Sequence, residues 1–197
     1  MNIAVFASHN GTDLQAIIDA CGSGAIDATV CAVLSNNSNS TALERAEKAG
    51  IDFYHVSEKV HGDFVDIRLL EILGSHNTDV VFLAGYLKKL GSPILHKYQN
   101  KVFNIHPSLL PKYGGTGMYG INIHQAVINA HDSESGITIH RVNEEYDEGE
   151  IVAQKRIPVL YGDTAESLAN RILEAEHDFI VEVIRKIISE EIPLGVL

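Results

Sequence analysis

The chain opens on "NIAVFA", residues 2–7, an unbroken apolar run of the kind found in strands covered on both faces. "TDLQAIIDACGSG" follows, with Leu14, Ile17, Ile18 and Cys21 at helical spacing and Gly22 and Gly24 as stops. The alternation then repeats. Residues 28–35, "ATVCAVLS", predict a second strand. Residues 41–50 predict a helix, with Thr41 as its cap and Gly50 at its end. Residues 52–56 predict a third strand, and a helix is expected over about 64–73. "DVVFLAG", 79–85, is the most strand-like run of all, and "KVFNI", 101–105, is the next.

Strand–helix–strand repetition with short links implies right-handed parallel crossovers. The style changes after Gly120. "INIHQAVINAH" reads as a helix. Residues 136–142 and 150–159 are strands joined by "NEEYDEG", too short for a crossover helix, so they are expected to pair antiparallel. A long amphipathic helix from Asp163 to about Ile188 closes the pattern, with Asp163 or Thr164 as cap and Glu166 in its first turn. The fold class expected is α/β: a Rossmann-like open, mostly parallel sheet with helices on both faces, a C-terminal antiparallel hairpin and a long helix. No linker or repeat interrupts residues 1–197, which read as one domain.

Composition narrows the function. The net charge of −11 supplies no broad basic surface, so a phosphate-backbone binder is not expected. A small anion held locally remains compatible with it. The opening "MNIAVFAS" has no basic stretch ahead of an apolar one, and no apolar run is long enough to span a bilayer. A cytoplasmic location, with no membrane or nucleic-acid partner, is the expectation. Cys21 and Cys31 have no metal spacing and read as buried thiols; no metal site is expected.

Three segments carry candidate chemistry. In "FASHNGTDLQAII" a strand runs through a polar loop into a helix. The helix N-terminus offers free N–H groups to an anion, and Gly11 lets the backbone come close. The competing reading is that Ser8, Asn10 and Thr12 merely cap the helix. "LAGYLKKL" follows a strand end, where an open parallel sheet binds ligands, but it also fits an ordinary strand-to-helix connection. The third is "VFNIHPSLLPKYGGTGMYG" taken with "NEEYDEGEI". Asn104 and His106 alternate on one face at a strand end, and Pro107 fixes the chain beyond. A histidine there can serve as acid or base, an Asn amide can donate to an oxyanion, and Asp147 could reach the same cleft. His140 is expected to be a satisfied core histidine or one behind the site. Glu176 and His177 read as a solvated helical face.

"NIHPSLLPKY", followed by "YDEGEIVAQ", resembles the folate-dependent formyltransferases. The resemblance runs almost end to end. It includes "MNIAVFASHNGTDLQAIIDAC" as strand, phosphate loop and helix, "LAGYLKKL" as folate-pocket segment, and "EAEH" in the last helix. It implies a phosphate-binding half at 1–100 and a catalytic, folate-binding half at 101–197. It implies 10-formyltetrahydrofolate as co-substrate and glycinamide ribonucleotide as acceptor, in purine biosynthesis. Asn104 and a protonated His106 would stabilise the oxyanion, with Asp147 holding the His106 charge. Gly11, Thr12 and Asp13 would place N–H groups on the phosphate, and Glu176 would accept from the ribose. Leu87, Lys88 and Leu90 would border the pterin pocket, and the backbone from Asn143 through Glu144 to Asp147 would read the pterin edge. A homodimer is compatible with the resemblance.

The chain departs from the family pattern at His9 and Asp13 in the phosphate loop and at Lys88, where Arg is commoner. Its loop "GGTGMYGINIH" is longer and richer in glycine, so His124 receives no role and residues 114–120 are expected to act as a flap. The alternatives are a related formyltransferase acting on a sugar amine, and a catalytically silent ligand-binding module of the same fold. Relatives with a tRNA-binding or regulatory domain are expected to be longer.

Overall fold

The computed structural model describes residues 1–195. Seven strands form a single sheet in the order β3-β2-β1-β4-β5-β6-β7. They are β1 Asn2–Phe6, β2 Thr29–Ser35, β3 Phe53–His55, β4 Val80–Leu83, β5 Val102–His106, β6 Glu134–Arg141 and β7 Ile151–Pro158. The first five are parallel. β6 runs antiparallel to β5, and β7 to β6. The helices are α1 Thr12–Gly22, α2 Thr41–Lys48, α3 Glu58–His61, α4 Val65–Ser75, α5 Ser92–Lys97, α6 Ile121–Asn129 and α7 Ala165–Ile188. The expected mostly parallel sheet, antiparallel hairpin and closing helix are all present.

Alternation along the central strands splits the core into two layers. Ile3, Val5 and Ala7 share one layer with Leu14, Ile17, Leu168, Ile172 and Ile180, which come from α1 and α7. Ala4 and Phe6 point the other way, to Leu69, Ile72, Leu73 and Ile94 from α4 and α5. Both faces of β1 and β4 are therefore covered, which is why the sequence is apolar from Ile3 to Phe6 and throughout β4.

Two local features differ from the sequence reading, and a third decides between its alternatives. Ser40, not Thr41, caps α2, its hydroxyl accepting from the Ala42 N–H. α3 and α5 were not expected; four and six residues long, they are too short to show a clear helical period. At α7 the cap is Thr164, in a reciprocal pair with Ser167, while Asp163 takes both guanidinium nitrogens of Arg171.

The chain builds β1, β2 and β3 outward in one direction, then returns to lay β4 on the other side of β1. The carboxyl ends of β1 and β4 thus flank a topological switch point, where an open sheet leaves a crevice. β5 ends beside them. The three segments singled out in the sequence leave these three strand ends.

Candidate active site

A cleft of about 710 Å³ lies outside those strand ends. On one wall is the loop into α1. Gly11 is the N-cap of α1, in the left-handed region at φ 65°, and no side chain caps the helix. A β-carbon on Gly11 would stand 2.7 Å from that of Ala42. The capping alternative therefore fails at Ser8. Its buried hydroxyl is bonded to Asn36 Oδ1 and accepts from the Leu87 N–H at 2.9 Å. The first N–H groups of α1 are left to a ligand, and the loop is tied to the segment after β4.

The catalytic candidates converge on one oxygen. Asp147 Oδ1 lies 3.4 Å from Asn104 Nδ2, 3.5 Å from His106 Nδ1 and 3.5 Å from His140 Nε2. Its Oδ2 accepts the Gly115 N–H at 2.9 Å. Asp147 itself has φ 58°, a strained conformation for a non-glycine residue. Burial works to raise its pKa, but His140, His106 and the Gly115 N–H outweigh burial, so it stays an anion below the ordinary range.

The neighbours fix the tautomers. His106 Nε2 is 2.8 Å from the Tyr113 carbonyl, which can only accept, so Nε2 carries hydrogen and Nδ1 faces Asp147. His140 Nδ1 likewise donates to the Arg141 carbonyl at 2.8 Å, while its Nε2 lies 3.0 Å from Asn104 Nδ2 and 3.5 Å from Asp147 Oδ1. The Asn104 amide directs its two hydrogens at these two groups. The one directed at Asp147, at 3.4 Å, is weakly held and is the one a developing oxyanion can take. Burial lowers the His106 pKa and outweighs the opposing pull of Asp147. The resting ring is therefore mainly neutral near neutral pH, not the charged ring implied by the resemblance.

Asn104, His106, Asp147, Gly11, Thr12, Asp13, Glu176, Leu87, Lys88, Leu90 and Asn143 all line the cleft. The side chain of Glu144 does not; it accepts from Ser92 Oγ at 2.7 Å. Glu176 is buried beside Asp13 rather than solvated, as its helical pattern alone suggested. His140, a core or supporting histidine by its sequence, is directly opposite Asn104 in the β5–β6 register. That register was the missing information: no spacing in the sequence aligns the two strands. The lysine pair after β4 is also partly engaged, Lys89 lying 3.6 Å from Glu145 and 5.6 Å from the Tyr146 ring centre. The glycine-rich loop is bound at its start to His106 and Asp147 through Tyr113 and Gly115. Among the described residues, no group of three or more His, Cys, Asp or Glu side chains is arranged to hold a metal ion, and no helix is long and apolar enough to cross a membrane.

Residues 1–184 match the family model described as formyl transferase. The chain belongs to the formyl transferase family. It is 37% identical over 193 residues to the chloroplastic phosphoribosylglycinamide formyltransferase of Arabidopsis thaliana, covering 96% of this chain and 66% of the relative. It thus spans just under two thirds of that plant protein. It is 37% identical over 179 residues to phosphoribosylglycinamide formyltransferase of Escherichia coli K12, covering 90% and 82%. Among solved structures, glycinamide ribonucleotide transformylase 1 of Symbiobacterium toebii superposes with a TM-score of 0.86 at 38% identity, over 94% of this chain and 86% of that one. The superposition covers the sheet that brings Asn104, His106 and Asp147 together in this chain.

Proposed function

We propose that the protein transfers the formyl group of 10-formyltetrahydrofolate to the amine of N1-(5-phospho-D-ribosyl)glycinamide (GAR). The product is formyl-GAR, in de novo purine (IMP) biosynthesis. The observation that carries this reading is the convergence of Asn104 Nδ2 and His106 Nδ1 on Asp147 Oδ1, at 3.4 and 3.5 Å, in a cleft with an uncapped helix end on its other wall. The names of the relatives above support the acceptor.

The acceptor phosphate sits on the N–H groups at the start of α1, with Gly11 and Thr12 in contact, and Glu176 meets the ribose hydroxyls. The pterin lies between Leu87, Lys88 and Leu90 and the backbone of residues 143–147. The amine nitrogen attacks the formyl carbon, and the carbonyl electron pair moves onto oxygen, where an Asn104 hydrogen meets it. The nitrogen, now positive, gives its proton to neutral His106, directly or through a water on Asp147. The ring becomes cationic as the oxyanion forms, and Asp147 balances it. The oxyanion pair then returns, the bond to folate N10 breaks, and that nitrogen takes the proton back. The result is a formamide and tetrahydrofolate.

The halves at 1–100 and 101–197 act as one domain under this reading, since each supplies residues to both substrates. The reading extends to a cytoplasmic location and a homodimer, which sedimentation of the purified protein tests. The deciding experiment is an assay of tetrahydrofolate release with GAR as acceptor. Turnover is expected, and His106→Ala should lower kcat about 10²- to 10⁴-fold with little change in KM. Transfer to a sugar amine and none to GAR would overturn the acceptor and retain the chemistry.

A further inference from the structure

The anion-binding end of the cleft contains a carboxyl group that the reaction does not use. Asp13, the second residue of α1, is 8% exposed and lines the cleft, and its Oδ1 has no hydrogen-bond partner. Glu176 from α7 lies beside it, 7% exposed. His177 Nε2, also from α7 and likewise without a partner, is 3.9 Å from Asp13 Oδ1. The other charged side chains near this wall turn elsewhere. Arg45 of α2 is bonded to the Asn10 carbonyl and Gln15, and His9 is exposed. The rest of the cleft lining carries His106, His140, Asp147, Lys88, Lys89 and Glu145.

Two buried acids with so little compensation cannot both be ionised easily. The N-terminus of α1 attracts a phosphate, but an ionised Asp13 carboxylate in the first turn repels a second negative group arriving there. We propose that Asp13 binds the acceptor phosphate only in its protonated form, so that binding of the phosphate ester takes up a proton from solution, shared between Asp13 and Glu176. This rests on the reading of α1 as the phosphate site. Burial raises the Asp13 pKa to about 7 and pushes that of Glu176 well up, which places the uptake near and above neutrality.

The test is calorimetric titration with ribose 5-phosphate and with GAR at pH 7 and pH 8, in buffers of different ionisation heat, on wild type, Asp13→Asn and Glu176→Gln. Wild type should take up a large part of one proton at pH 8, and its Kd should rise up to about tenfold more from pH 7 to 8 than that of Asp13→Asn. Glu176→Gln should move the uptake to lower pH. Ionisation of the ligands is common to all three proteins and cancels in the comparison. Equal uptake by wild type and Asp13→Asn overturns the proposal, as does failure of both phosphate esters to bind any of the proteins. Proton-linked binding of ribose 5-phosphate without GAR turnover would sink the acceptor assignment and leave this inference standing.

Discussion

His106 Nδ1 faces Asp147 Oδ1 at 3.5 Å, a distance that admits attraction between charges but not a good hydrogen bond. The two side chains come from the end of a parallel strand and from the loop of an antiparallel hairpin. Burial lowers the His106 pKa, and the Asp147 charge is the largest influence opposing it.

Asp147→Asn removes that opposing charge, so the His106 pKa should fall further. Wild-type kcat/KM should rise with pH through a His106 pKa below 6.5 and then level. In Asp147→Asn this limb should move to lower pH while kcat drops about 10²- to 10⁴-fold. A pH–rate profile, together with NMR titration of the His106 ring, checks both parts. A limb that moves upward would contradict the assigned charge relationship.

Asp13 carries a stability cost with a definite sign. Its pKa is raised from 3.8 to about 7, so the folded state holds the proton more tightly than the unfolded chain. The associated stability is complete below pH 3.8 and is lost as pH rises through about 7. Asp13→Asn should therefore be more stable than wild type at pH 8, by up to about 4 kcal/mol, and no more stable near pH 4. Urea denaturation at the two pH values measures the difference.

Gly149→Ala should damage the site from outside it. A methyl group on Gly149 would overlap the carbonyl oxygen of Arg141, so the hairpin loop has to shift. Asp147, two residues earlier, moves with it. A loss of roughly 1 to 3 kcal/mol in stability is expected, with kcat reduced and the α1 phosphate site unaffected. Thermal melts and ribose 5-phosphate binding separate the two effects.

Ser8→Ala deletes the hydroxyl that accepts from the Leu87 N–H at 2.9 Å. It should cost about 1 kcal/mol of stability and raise KM for both substrates, since it loosens both loops. A change confined to one substrate would show that the loops are held independently.

The parallel half of the fold was legible because β1 and β4 are buried on both faces and read as continuous apolar runs. The hairpin was legible because seven residues cannot cross over a sheet. α3 and α5 were not, being too short to establish a period. At the site, Asn104, His106 and Asp147 could be singled out as residue types at a strand end and in a turn. Asn104 is joined to His140 by cross-strand register, and Asp13 to Glu176 by the packing of α1 on α7. Both are contacts between distant segments that local spacing does not encode. The neutral resting state of His106 was equally hidden, because it depends on how deeply the ring is buried.

The Ser8 hydroxyl, bonded at once to the turn after β2 and to the segment after β4, sets the separation between the loop at α1 and the Leu87 segment before any ligand arrives. The cleft is thus dimensioned during folding. The entropy of ordering its two walls is spent once per molecule rather than at every turnover, and under the proposed reaction more of each substrate's binding energy is left to hold the amine against the formyl carbon.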